Sequence, residues 1–479
     1  MTIHAWRPSA AILPSTARRP TAAAPVANAP WLVFFVASIA VFLVSIDSTV
    51  LYAAFGSLRA AFPQAHAADL SWVLNAYTVV FAALLVPSGR LADLYGRKRI
   101  FIIGVSLFLL ASLACGLSGS VLLLIGARVL QAIGAALLLP ASLAIVLAAF
   151  PASRRAIVVS LWGAVGGLAA ALGPSIGSWV VDAWGWPWAF YINLPLGALS
   201  LWRGRHVLEE SRNPENAAPL DVIGVLLLIA GVGAPAFGLV RTESLGWASP
   251  VVLGCLAGGV AALGLFVAWA RHTPSPAIDL ELFANPTYRW VNLATLSFGI
   301  AFAMMFFGFF IFMTDIWHFS LPRAGLAVTP GPLMVVPTAI IAGRIAARIG
   351  HRPLLVIGSI VYAAGGLWFF SVPGLQPDYL HHWLPGLFFT GIGVGMVLPS
   401  LSGAAVSQLA PNRFGIGSAV NQSVRQVGSV LGVALTIVLV GKAAPQLADF
   451  HRLYACHIAL ALLTAALCLR VQTRPRRPD

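Results

Sequence analysis

The chain is a succession of long apolar runs separated by short polar breaks. Fourteen such runs stand at 31–56, 70–91, 99–119, 121–149, 156–182, 187–204, 220–241, 249–271, 290–316, 325–348, 353–373, 383–408, 415–441 and 453–471. About 20 apolar residues in a helix cross a hydrocarbon core of roughly 30 Å. Inside lipid the backbone must satisfy its own hydrogen bonds, so each run is predicted to be a helix. The run at 325–348 is the most interrupted, with three prolines and two arginines. The first thirty residues, rich in Pro and Ala, read as a disordered tail. The run that follows is too long for the core of a signal peptide and contains an acid, Asp47.

Composition agrees with this pattern. Of 479 residues, 59% are hydrophobic and 9% charged, with a mean hydropathy of +0.88; a soluble domain carries about 25% charged residues. The net charge of +14 suggests nucleic acid until its distribution is considered. With the N-terminus placed in the cytoplasm, only Arg59, Arg241, Arg323, Lys442 and Arg452 fall on outer segments, and Arg128 and Arg425 fall within spans. The remaining bases are cytoplasmic, which is the positive-inside bias. It places both termini in the cytoplasm and makes a multi-pass inner-membrane protein the expectation. The four cysteines, Cys115, Cys255, Cys456 and Cys468, are scattered through spans with no metal or disulfide spacing.

The chain repeats itself. Ala342-Gly-Arg-Ile-Ala-Ala-Arg-Ile-Gly-His-Arg352 echoes Ser88-Gly-Arg-Leu-Ala-Asp-Leu-Tyr-Gly-Arg-Lys98. Ile392-Gly393 with Pro399 echoes Ile133-Gly134 with Pro140, Arg413 echoes Arg154, and Leu431-Gly432 echoes Leu172-Gly173. The spacing is nearly constant and exceeds six spans by about the length of the runs at 220–271. The predicted architecture is an all-α membrane protein of two six-helix bundles, 31–204 and 287–471, with a linker and two inserted helices at 205–286 and tails at 1–30 and 472–479. Two parallel six-span halves define the major facilitator fold, with substrate bound near the midplane between them.

The motifs point the same way. Gly89-Arg-Leu-Ala-Asp-Leu-Tyr-Gly-Arg-Lys98 resembles motif A of the major facilitator superfamily. Leu43-Val-Ser-Ile-Asp-Ser-Thr-Val50, Arg128-Val-Leu-Gln-Ala-Ile-Gly134, Leu172-Gly-Pro-Ser-Ile-Gly177 and Asn421-Gln-Ser-Val-Arg-Gln-Val-Gly428 resemble further signatures of its fourteen-span drug:proton antiporters, the EmrB/QacA type. Departures are Ala132 where motif B has glycine, Ser178 where motif C ends in glycine, Pro187 in Gly185-Trp-Pro-Trp188, and Asp315 where relatives tend to have glutamine. The resemblance implies proton-coupled export of hydrophobic or amphipathic compounds by alternating access. The competing expectation is a facilitator-type importer or uniporter of a small metabolite. No Walker A pattern is present, and no metal or organic cofactor is expected. The expected partners are a small-molecule substrate, protons and the lipid bilayer, not nucleic acid; a periplasmic adaptor stays open.

An ionisable residue inside a span costs roughly 2.5–3.5 kcal/mol to insert, so it is a functional candidate by default. Asp47 is the one acid clearly inside a span. Helical rise places it and Arg128 at similar depths, with Gln131 one turn from Arg128 on the same face. These three are the candidates for proton coupling, with a permanent structural pair of Asp47 and Arg128 as the alternative. Gly89, Arg90, Asp93, Gly96 and Arg97 are the candidate cytoplasmic gate: the glycines permit close approach, and Asp93 can pair with an arginine or cap a helix. Arg97, Lys98 and Arg99 also suit a plain topology anchor. Gly163, Gly167, Gly173, Pro174 and Gly177 give close-packing spacings and a bend, a candidate antiport seam. Asn421 and Arg425, one turn apart, and Asp315 are expected to line the cavity. The run Phe302–Phe312 with Met304 and Met305 suits either an adaptable pocket or core packing.

Overall fold

The computed structural model describes residues 30–212, 220–409, 413–440 and 445–473, and it is helical throughout. The expected tails lie outside the described residues except for Pro30 and residues 472–473. The first bundle comprises α1 (Pro30–Ala61), α2 (Ala67–Tyr95), α3 (Arg97–Gly116), α4 (Val121–Ala149), α5 (Ala152–Trp184), α6 (Trp188–Tyr191) and α7 (Asn193–Val207). The inserted pair is α8 (Val222–Leu245) and α9 (Pro250–His272). The second bundle comprises α10 (Pro286–Ile311), α11 (Leu321–Val328), α12 (Pro330–Ile349), α13 (Arg352–Ser371), α14 (Leu384–Val406), α15 (Phe414–Val440) and α16 (Leu447–Cys468).

Thirteen helices among the described residues are long and apolar enough to cross a membrane. The fourteenth crossing, expected at 187–204, consists of α6 and α7 in succession, broken at Ile192. The proline-rich run expected at 325–348 is helical as α11 and α12, with the break at Thr329. The helix ends follow local chemistry. Ser120, Asp221 and Asn285 accept backbone N–H groups at the starts of α4, α8 and α10. Gly96, at φ 110°, separates α2 from α3 in a conformation that favours glycine.

The repeat seen in the sequence recurs in the packing. In the first bundle α1 packs on α5 and α7, α4 on α2 and α3, and α3 on α7. In the second, α10 packs on α15 and α16, α14 on α12 and α13, and α13 on α16. The bundles meet along α2 with α15 and along α5 with α11 and α12, while α8 lies against both α2 and α15. The inserted pair therefore sits over one seam. Successive crossings alternate, so the chain has an Asp93 end and an Arg59 end.

Candidate functional site

The core of the first bundle holds a closed polar cluster. Asp47 of α1 and Arg128 of α4 form an ion pair of 2.6 Å, and their side chains are 0% and 1% exposed. Asp47 Oδ1 accepts from Gln131 Nε2 at 2.8 Å and from Asn193 Nδ2 at 2.9 Å. Arg128 donates to Gln131 Oε1 at 2.6 Å and, through Nε, to the Val73 carbonyl at 2.9 Å. Ser112 Oγ accepts from Gln131 Nε2 at 2.8 Å, and the guanidinium lies 4.0 Å from the Tyr77 ring centroid. Every contact to the carboxylate comes from an N–H donor, the pattern an ionised acid accepts. The three expected residues thus meet, and two more join them. Asn193 follows directly on the break after α6. Its signal was an amide inside the sixth apolar run; Ser112, a hydroxyl in a span, gave no comparable signal.

The segment joining α2 and α3 makes its polar contacts within the first bundle and with the linker. Asp93 accepts from Arg97 Nε and Nη2 at 3.0 and 2.9 Å. Arg90 donates to the Ser275 carbonyl, in the linker before α10. Glu210, which the sequence reading passed over, caps α3. Its carboxylate accepts from Lys98 N and Arg99 N, each at 3.1 Å. Gly96 admits it: a Cβ there would lie 2.5 Å from the Glu210 carboxylate. Gly89 meets only an ordinary contact, the Pro140 side chain at 3.6 Å from an added Cβ.

Contact between the bundles is made at the other end. Among the described residues, the hydrogen bonds between bundles are Arg59 to Asp315 at 3.3 Å and Ser175 to Thr329 and to the Gly325 carbonyl. All lie at the Arg59 end. Tyr52 and Phe55 pack on Phe306 and Phe307 just below them. The Arg59 end is closed, and no polar contact among the described residues ties the bundles at the Asp93 end.

Two expectations are corrected by this geometry. In the span-five seam, Gly173 and Gly177 do face α1, where added Cβ atoms would meet Thr49 and Val50, and Pro174 is buried. Gly163 and Gly167, however, have nothing within 4 Å; the contact is made by Gly166 against Val41 and Ser45. Helical rotation over the intervening turns carries 163 and 167 off the contact face. In the second bundle, Asn421 does not line a cavity. It is buried against α10 and donates to Asn292 Oδ1 at 3.0 Å and Thr295 Oγ1 at 2.9 Å. Asp315 is engaged with Arg59 rather than free to face a cavity. Arg425 alone of the three stays partly accessible without a side-chain partner among the described residues. In the run Phe302–Phe312, Phe306, Phe307, Phe309 and Phe310 are buried, while Phe302 is half-buried and stacks on Phe306.

Two bundles, a buried carboxylate–guanidinium cluster and one closed end define a membrane carrier. Residues 31–433 match the Major Facilitator Superfamily, and the chain belongs to it. It is similar to the multidrug resistance protein Stp of Mycobacterium tuberculosis, 31% identical, covering 84% of this chain and 74% of that one. It is also similar to the puromycin resistance protein pur8 of Streptomyces alboniger, 34% identical over 85% and 81% of the two chains, and to the tetracenomycin C resistance and export protein of Streptomyces glaucescens, 29% identical over 88% and 77%. Among solved structures, a D-xylose–proton symporter superposes with a TM-score of 0.67 at 15% identity, covering 94% of this chain and 98% of that one. That likeness concerns the fold alone.

Proposed function

We propose that the protein is a proton-coupled antiporter that exports hydrophobic or amphipathic compounds, and that it is a carrier rather than an enzyme. The observation that carries the coupling is Asp47: a carboxylate with no exposure, held by three N–H donors inside the first bundle. The names of the relatives support the substrate class. The excess of basic residues at the Asp93 end makes it the cytoplasmic face. With the outer end closed, Asp47 is deprotonated and locked to Arg128. Opening the outer end lifts Tyr52 and Phe55 of α1 off Phe306 and Phe307, opens a water path toward Asp47, admits a proton and releases the substrate. Return to the closed form re-forms the ion pair and delivers the proton to the cytoplasm.

Asp93 belongs to the opposite half of the cycle. In the outer-closed form it rests on Arg97; when the cytoplasmic end closes it is free to engage the other bundle. Asp93→Asn is expected to insert and accumulate like the wild type yet export several-fold more slowly. Wild-type export by this variant at equal expression refutes the latch. The export reading itself is tested in everted membrane vesicles with a panel of amphipathic dyes and antibiotics. Uptake that needs an imposed proton gradient and collapses with an uncoupler supports it. Uncoupler-insensitive equilibration favours the facilitator reading.

A further inference from the structure

The polar face of α15 is unaccounted for by the cluster around Asp47. Ser418, Gln422, Arg425 and Ser429 recur at helical spacing and form one narrow stripe. Ser418 is exposed and the other three are half-buried. Arg425 stands 11 residues beyond the start of α15, about 16 Å into the helix. Further toward the Arg59 end, Gly432 and Thr436 turn against α10 of the same bundle. The accessible polar stripe therefore runs from Ser418 near the Asp93 end to Ser429. A guanidinium facing lipid at that depth is strongly disfavoured. α15 instead packs on α2 and α8 at the meeting of the bundles, so the stripe faces the space between them.

The charge there is unusual. Arg128, the other arginine deep in a span, is fully engaged by Asp47, Gln131 and Val73. Arg425 has no ion pair and no side-chain hydrogen bond among the described residues; only its carbonyl is used, by Ser429. Its neighbour one turn back, Asn421, is turned away into α10. A partly accessible guanidinium with no ion pair among the described residues, beside the Gln422 amide on the same stripe, presents donors to an anion. A cationic group gains nothing from it.

We infer that Arg425, with Gln422, forms the polar subsite of the transport path, and that the compounds taken carry an anionic group such as a carboxylate, phenolate or enolate. The inference rests on the export reading for its biological sense, but not for its test.

Binding to the purified full-length protein is measured by fluorescence anisotropy with two dyes on related xanthene skeletons, fluorescein (anionic) and rhodamine 6G (cationic). The wild type is expected to prefer fluorescein. Arg425→Gln is expected to weaken fluorescein about 10- to 100-fold, the effect of losing hydrogen bonds to a charged group, and to leave rhodamine 6G within about twofold. Arg425→Lys restores most of the fluorescein affinity, which separates a charge-recognition role from a packing role. Equal or absent binding of the two dyes to the wild type, or a parallel loss of both in Arg425→Gln, overturns the subsite. Failure of gradient-driven export with the fluorescein preference intact overturns the antiport reading and leaves the subsite standing.

Discussion

Asp47→Asn is expected to abolish substrate movement driven by a proton gradient. The variant mimics a permanently protonated acid, so no proton is released on return to the outer-closed form. Counterflow exchange of substrate down its own gradient is expected to persist, since exchange needs no net proton transfer. The geometry adds a stability cost. The introduced asparagine keeps one acceptor oxygen, but its amide N–H group must face Arg128, or else Gln131 and Asn193, all of which are donors to the native carboxylate. Breaking a buried pair costs about 3–5 kcal/mol, so the single variant should melt well below the wild type. Asp47→Asn combined with Arg128→Gln removes both charges and is expected to recover much of that loss. If the pair were only structural, the double variant would also recover uphill transport. Uphill transport by the double variant therefore contradicts the assignment of Asp47 as proton carrier.

Gly325→Leu is expected to slow turnover by a different route. Gly325 in α11 lies against α5 at the closed end: an added Cβ would meet the Ser178 hydroxyl and lie 2.5 Å from the Pro174 carbonyl oxygen. Neither backbone can yield without parting the bundles. The ion pair beside it is a weaker device, because Arg59 and Asp315 are 30% and 25% exposed and such pairs contribute about 0–1 kcal/mol. Overpacking costs about 1–3 kcal/mol, which shifts a two-state balance about 5- to 150-fold. The clash lies between bundles, not within one, so the variant should fold with a normal melting temperature. It should slow exchange as well as gradient-driven transport, unlike Asp47→Asn. Exchange at the wild-type rate would show that this seam does not open and close in the cycle.

The fold was largely legible because apolar length is a direct physical signal in lipid, and because the repeat fixed how the spans group. The sixth crossing was legible as a run; its break at Ile192 was marked only by Pro195, which has no N–H for the Tyr191 carbonyl. Asp47, Arg128 and Gln131 were legible because an acid in a span demands a partner and helical rise matches their depths. Asn193 and Ser112 were not, because uncharged polar groups carry a small insertion cost and stand out little. Glu210 was missed for another reason: its partner is the backbone at the start of α3, and side-chain pairing rules do not reveal backbone caps. The roles of Asn421 and Arg425 diverged from their shared helix face, since side-chain length carries the guanidinium outward while the shorter amide stays against Asn292 and Thr295.

The central claim is that substrate leaves as a proton enters through Asp47. It is tested most directly by counting protons in proteoliposomes that contain the purified protein and an entrapped pH indicator, with a substrate gradient and no imposed proton gradient. The wild type is predicted to drive protons opposite to the substrate, and the Asp47→Asn, Arg128→Gln double variant to move none. Proton movement by the double variant at the wild-type rate, or substrate flux through the wild type with no proton movement, would contradict the account.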